Sequence, residues 1–138
     1  MRTKSVLSAT DAATITAACT TEASRHGWPV SVAVVDDGGR LLSVIRLDGA
    51  GYATPDAARR KAETSAKTRS STADLEAGVT SRPALLAFDD RLPLAGGIPV
   101  MIDKQCVGAI GISGGTPEQD IQVGAAGLEA LHLSVSRS

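Results

Sequence analysis

Aromatic side chains are scarce: Trp28, Tyr52 and Phe88 are 2% of the 138 residues. The core must therefore be built from Ala, Val, Leu and Ile, and stacking on a flat ligand is limited. Cysteine occurs only as Cys19 and Cys106, far apart and without flanking histidines, which excludes the usual zinc spacings and leaves both thiols free. Neither sign of charge dominates. With 14 basic and 15 acidic residues, well mixed, and a net charge of −1, the chain has no footprint for a phosphate backbone, and nucleic acid is not an expected partner. No run approaches the roughly 20 apolar residues that span a bilayer. The opening Met1 to Leu7 turns polar at Ser8 and Asp11 instead of continuing into a signal-peptide core, so a cytoplasmic protein without a membrane partner is expected.

What is present fits one globular domain over residues 1–138: 43% hydrophobic and 21% charged residues lie in the ordinary range. Ser8 and Asp11 form a capping-box pair, and the Ala-rich run that follows ends at Gly27. Ala12, Ile15, Ala18, Cys19 and Ala23 make its inner stripe. Val30, Val32, Val34 and Val35, then Leu41, Leu42, Val44, Ile45 and Leu47, read as two strands joined by Asp36-Asp37-Gly38-Gly39. Thr54-Pro55-Asp56 predicts a helix with Thr54 as N-cap, running to about Arg69 with a basic outer face.

Residues 72 to 92 are less patterned, with Thr72 and Pro83 each able to start a short helix and Gly78 between them. Ile98, Val100 and Ile102, a turn at Asp103-Lys104-Gln105, and Val107, Ala109, Ile110 and Ile112 give a second hairpin. Thr116-Pro117-Glu118-Gln119 opens a final helix to about Leu133, with Thr116 as N-cap and Gln119 completing a capping box. Gly124 and Gly127 cost that helix roughly 1 kcal/mol each, which suggests close approach of another backbone, as in an oligomer interface. Turns this short cannot join parallel strands, so the class is α+β, an antiparallel sheet covered by helices.

Three blocks carry a resemblance: Val34-Val35-Asp36-Asp37-Gly38-Gly39 running to Arg46-Leu47-Asp48-Gly49-Ala50; Ala58-Arg59-Arg60-Lys61-Ala62; and Gly96-Gly97-Ile98-Pro99-Val100 leading to Gly108-Ala109-Ile110-Gly111-Ile112-Ser113-Gly114-Gly115-Thr116. Over nearly the whole chain this resembles the GlcG/HbpS-like haem-binding family, also found as the C-terminal domain of certain cobalamin adenosyltransferases. The resemblance implies a profilin-like sheet of about five antiparallel strands flanked by helices, a homo-oligomer (a dimer or larger ring), and a haem or other tetrapyrrole ligand.

Haem iron is held by His, Cys, Met or Tyr. His26 and His132 fall at helix ends, where a histidine serves the dipole. With no histidine inside the three blocks, axial ligation would fall to Cys19, a threonine or water. Gly96-Gly97 and Gly114-Gly115 can aim backbone N–H groups at a carboxylate, the second pair just before Thr116 at a helix N-terminus; turn geometry alone also explains them. Arg46 can clamp a carboxylate and Lys61 can act as a point charge or, if desolvated, as a base. Either can instead be an internal ion-pair partner, Arg46 with Asp36 across the first hairpin. Glu118 and Asp120, in the first turn of the last helix, suit its dipole.

The leading expectation is a small-molecule binding protein, a haem-binding accessory or redox-sensing protein, with Cys19, Arg46, Lys61, Gly96, Gly97, Gly114, Gly115 and Thr116 as candidate ligand contacts. The alternative is an enzyme without cofactor or metal, an isomerase, lyase or cyclase, working on a small acidic metabolite in an intersubunit pocket through Arg46, Lys61, Asp36 and Glu118. A third reading is a purely structural assembly partner.

Overall fold

The computed structural model describes residues 1–137. In chain order it contains α1 (Ala9–His26), β1 (Ser31–Asp36), β2 (Leu41–Arg46), α2 (Thr54–Thr68), α3 (Thr72–Ser81), a single turn of tighter helix at Pro83–Ala87, β3 (Gly97–Ile102), β4 (Gln105–Ser113) and α4 (Pro117–Ser136). The strands form one antiparallel sheet in the order β2-β1-β4-β3. It has four strands, where the resemblance implied about five; the two hairpins read from the sequence account for all of them.

Both predicted capping boxes form, Ser8 with Asp11 and Thr116 with Gln119, and Gly27 closes α1 in the left-handed conformation. The start of α2 differs. Its N-cap is Ala53 and no side chain caps it; Thr54 sits one position further in and spends its hydroxyl proton on the Gly51 carbonyl at 2.7 Å. Gly78, between Thr72 and Pro83, lies inside α3. Pro99, which cannot donate to a ladder, sits in β3 because β3 is an edge strand.

Alternation along the two central strands sends side chains to two different cores. Val32, Val34, Ile110 and Ile112 meet Ile15, Cys19 and Ala23 of α1 and Val123 and Leu131 of α4. Ala33, Val35 and Ala109 meet Ala58, Ala62 and Ala66 of α2. α2 lies close enough to the sheet that a side chain at Gly111 would collide with the backbone of Ala58 and Ala62. The two glycines of α4 do similar work on the other face: Gly127 admits Cys19 and Ile15, and Gly124 admits Ile98. This corrects the expected interface role, since the backbone approach these glycines permit is to the chain's own α1 and β3.

Candidate functional site

Register gathers most of the candidate residues at one end of the sheet. Arg46 stands opposite Ser31, and Ser31 opposite Ser113, so the three form a row across β2, β1 and β4. The Ser31 and Thr54 hydroxyls lie 2.8 Å apart. Because Thr54 donates to Gly51, Ser31 is the donor here, which ties β1 to the first turn of α2. Beside this row Arg46, Asp48, Gly49, Ala50, Gly51 and Tyr52 line a cleft of about 380 Å³. The Arg46 guanidinium lies over the Tyr52 ring, 4.8 Å from its centroid, a cation–π contact. It forms no ion pair among the described residues, and Tyr52 is 89% exposed. The uncapped N-terminus of α2, which adjoins Tyr52 in the chain, adds partial positive charge. This arrangement can fork onto a carboxylate and offer an aromatic face and a phenol to a flat ligand.

At the same end of the sheet the glycine pairs beside β3 and β4 are already used by the chain. Lys61 and Asp120 are 5% and 2% exposed. Lys61 Nζ donates to Asp120 Oδ2 at 3.1 Å and to the Ile112 carbonyl at 2.9 Å, and Asp120 Oδ1 accepts from the Gly115 N–H at 2.9 Å. The Thr116 N–H is taken by Gln119 Oε1 at 3.0 Å, and the Gly97 N–H by the buried Thr72 hydroxyl at 2.7 Å. Gly96 receives the Ile112 N–H on its carbonyl, and its missing side chain leaves room for Lys61; Gly114 leaves room for the Pro29 carbonyl in the same way. The expected anion cradle at Gly114-Gly115-Thr116 is therefore filled by the protein's own Asp120 and Gln119. Burial raises the Asp120 carboxyl above its ordinary value, against the pull of Lys61 and the Gly115 N–H. Lys61 is an internal ion-pair partner and presents no accessible base.

Three further expectations change with the geometry. Asp36 lies at the far end of β1 from Arg46, and its carboxylate caps the hairpin turn by accepting from Gly38 and Arg40 N–H, both at 2.9 Å; the expected Arg46–Asp36 pair is not formed. Cys19 is wholly enclosed between α1 and α4, where desolvation pushes its thiol up to about 12, leaving no surface for a ligand. Glu118 is exposed on the first turn of α4. Asp36, Lys61 and Glu118 thus do not converge with Arg46 as an acid–base set. Among the histidines, His26 stacks on Trp28 with 4.3 Å between ring centroids and reaches Glu22 at 3.3 Å. His132 contacts the Met101 carbonyl at 3.3 Å.

Tyr52, Ser31 and Thr54 are not among the site residues to which the sequence points. The available signal for Tyr52 was its place in a glycine-bounded loop outside any apolar stripe. Asp120 had a stronger one: with Val123, Gly124, Gly127 and Leu131 it shares the buried stripe of α4, and Lys61 shares that of α2 with Ala58, Ala62 and Ser65. A charge on each of two buried stripes, of opposite sign, calls for a partner.

No helix among the described residues is long and apolar enough to cross a membrane. Comparison with known proteins places this geometry in context. A family model described as "Haem degrading protein HbpS-like" matches residues 7–129. The chain is 40% identical over 114 residues to Protein GlcG of Escherichia coli (strain K12), spanning 82% of this chain and 85% of that protein. Its structure superposes on a double mutant of Streptomyces reticuli HbpS with a TM-score of 0.89 at 34% identity, covering 95% of this chain and 90% of the other. It also superposes on the PduOC chain solved as a heme complex, with a TM-score of 0.83 at 26% identity over 91% and 94% of the two chains. The α+β sheet, the order of its elements and the family match agree: this chain belongs to the HbpS-like family.

Proposed function

We propose that the protein binds haem or a closely related tetrapyrrole, with Arg46 and Tyr52 at the mouth of the 380 Å³ cleft as its contacts. The observation that carries the reading is the superposition along nearly the whole chain on a relative solved with heme. The local chemistry fits. The cleft falls in the range of roughly 300–1,000 Å³ usual for small-molecule sites. Arg46 is free to form a bidentate contact with a propionate, and tyrosine is one of the side chains that hold haem iron. When bound, haem would supply a redox-active iron, which suits an accessory or redox-sensing role; Arg46 would hold a propionate and Tyr52 would offer its phenol oxygen to the iron. Self-association belongs to the same reading, supported by the exposed Leu41, Val44 and Ile45 on the edge strand β2.

Titration of the purified protein with hemin, followed by absorbance, tests this. A saturable, stoichiometric Soret shift is expected. Arg46→Ala should weaken it about tenfold, the loss of one charge-assisted contact of roughly 1.5 kcal/mol. Tyr52→Phe should move the band, and Cys19→Ala should leave it unchanged. A change that never saturates sinks the proposal.

A further inference from the structure

The first residues of the chain lie at the end of the sheet opposite the Arg46 cleft, where Asp36 of β1 faces Gly108 of β4. They are held there. Leu7 is buried over Gly108, which has no side chain to exclude it, and its N–H donates to the Val107 carbonyl at 3.0 Å. Lys4 Nζ donates to Asp37 Oδ2 at 2.7 Å, in the turn between β1 and β2. Arg69 joins them from the C-cap of α2, its backbone left-handed at φ 57°, a conformation for which helix ends usually use glycine. Its Nη1 donates to the Asp37 carbonyl at 2.6 Å and to the Ala66 carbonyl at 2.7 Å. An arginine kept here at a conformational cost fixes a guanidinium beside the turn.

Lys4, Arg69 and Arg2 surround, with Asp37, a cleft of about 590 Å³. Thr3, Ser5 and Gln105 complete its walls, and the Cys106 thiol there donates to the Gly108 carbonyl at 3.3 Å. The volume is ample for a small molecule, and the polar lining selects a polar one. The Lys4 hydrogen bond, then the charges of Lys4 and Arg69, hold the Asp37 carboxyl below its ordinary value. Asp37 therefore stays ionised and keeps the two cations gathered, yet three cations against one carboxylate leave an excess of two positive charges. Across the same turn Arg40, Arg59 and Lys67 flank a second cleft with Glu63 alone to balance them. In a chain of net charge −1, this concentration of cations at one end draws anions toward it.

We propose that the cleft at Lys4 and Arg69 binds a small phosphorylated metabolite bearing hydroxyl groups, a sugar or polyol phosphate. A phosphate monoester carries about −1.5 to −2 at neutral pH, which matches the local excess. The two guanidinium groups can fork onto its oxygens, and Lys4 meets it as a point charge. Thr3, Ser5, Gln105 and the Asp37 carboxylate suit the hydroxyl groups. A nucleotide is disfavoured because its base would find no aromatic face among these side chains. The site shares no lining residue with the Arg46 cleft and does not depend on tetrapyrrole binding.

The test is an amide-resolved NMR titration of the haem-free protein, at low ionic strength, with ribose 5-phosphate, ribose, inorganic phosphate and malate. Ribose 5-phosphate should give saturable shifts centred on Thr3, Lys4, Asp37, Arg69 and Gln105, and ribose none. Inorganic phosphate, without hydroxyl contacts, and malate, whose two charges are split between carboxylates, should each bind severalfold more weakly. Arg69→Gly keeps the left-handed backbone while removing the guanidinium, and Lys4→Gln changes an exposed side chain. Each should weaken ribose 5-phosphate about tenfold, the loss of one charge-assisted contact. Arg25→Gln, on α1, removes the same charge elsewhere and should leave binding unchanged. Absence of saturable shifts at this end of the sheet, equal binding of malate, or an equal loss in Arg25→Gln would each overturn the assignment. With no haem present, the outcome is independent of the hemin titration.

Discussion

On the face of the sheet covered by α1 and α4, the buried side chains are branched and large: Ile15, Val32, Val34, Val100, Ile110, Ile112, Val123 and Leu131. On the face covered by α2 they are small, five alanines and Val35, and the buried polar groups Lys61, Thr64, Ser65 and Thr72 belong to α2 and the start of α3. The first face follows the ordinary rule that fully burying a Val, Leu or Ile contributes about 1.5–3 kcal/mol. The second gives up much of that area in exchange for closeness. Its helix lies almost on the strand backbone, Lys61 ties α2 to Ile112 and to Asp120 of α4, and Thr72 ties the start of α3 to Gly97. One face supplies most of the hydrophobic stability; the other fixes where the turns around the candidate site lie.

If this division is right, the largest single effect should come from the polar face, at its ion pair. Lys61→Met leaves Asp120 buried without a cation and should lower the unfolding free energy by about 3–5 kcal/mol, read from urea denaturation at neutral pH. Adding Asp120→Leu should recover most of that loss, as replacement of a whole buried pair by apolar groups often does. Failure of the double variant to recover would mean that the Gly115 turn depends on the carboxylate itself. On the aliphatic face Leu131→Ala should cost about 2–5 kcal/mol, while Ala62→Gly under α2 should cost only about 1 kcal/mol. Similar losses at the two positions would erase the contrast.

The elements were legible because their signals are local. Ser8 and Asp11, Thr116 and Gln119, Gly27 and the β-branched runs each announce an element within a few residues. The stretch from 72 to 92 was harder, and Thr72 and Pro83 did mark the beginnings of α3 and the following turn. What could not be read was pairing across the chain. Lys61 and Asp120 are 59 positions apart, and only the folded topology brings α2 and α4 around the end of β4. The glycine pairs misled for a related reason: an N–H group aimed outward has the same sequence signature whether its acceptor is a ligand or a distant aspartate. Arg46 and Asp36 failed as a pair because they sit at opposite ends of the hairpin, which register decides and composition does not.

The finest test of the polar face is its response to pH. Burial raises Asp120 above its ordinary carboxyl value in the folded protein, so between the unfolded value and the raised folded one the native state holds more protons than the unfolded state. Stability contributed by this group then falls as pH rises through that window and is level above it. Glu63, lowered by its contacts with Lys67 and Arg59, works in the opposite direction, its contribution being lost as pH falls. The two are separated by subtraction: the difference in unfolding free energy between the wild type and Asp120→Asn should shrink from about pH 4 upward and then flatten, with Glu63 cancelling because both proteins carry it. A difference that grows with pH would show that the attraction of Lys61 outweighs the burial of the carboxylate, and that the polar face is held together by charge rather than by close packing of small side chains.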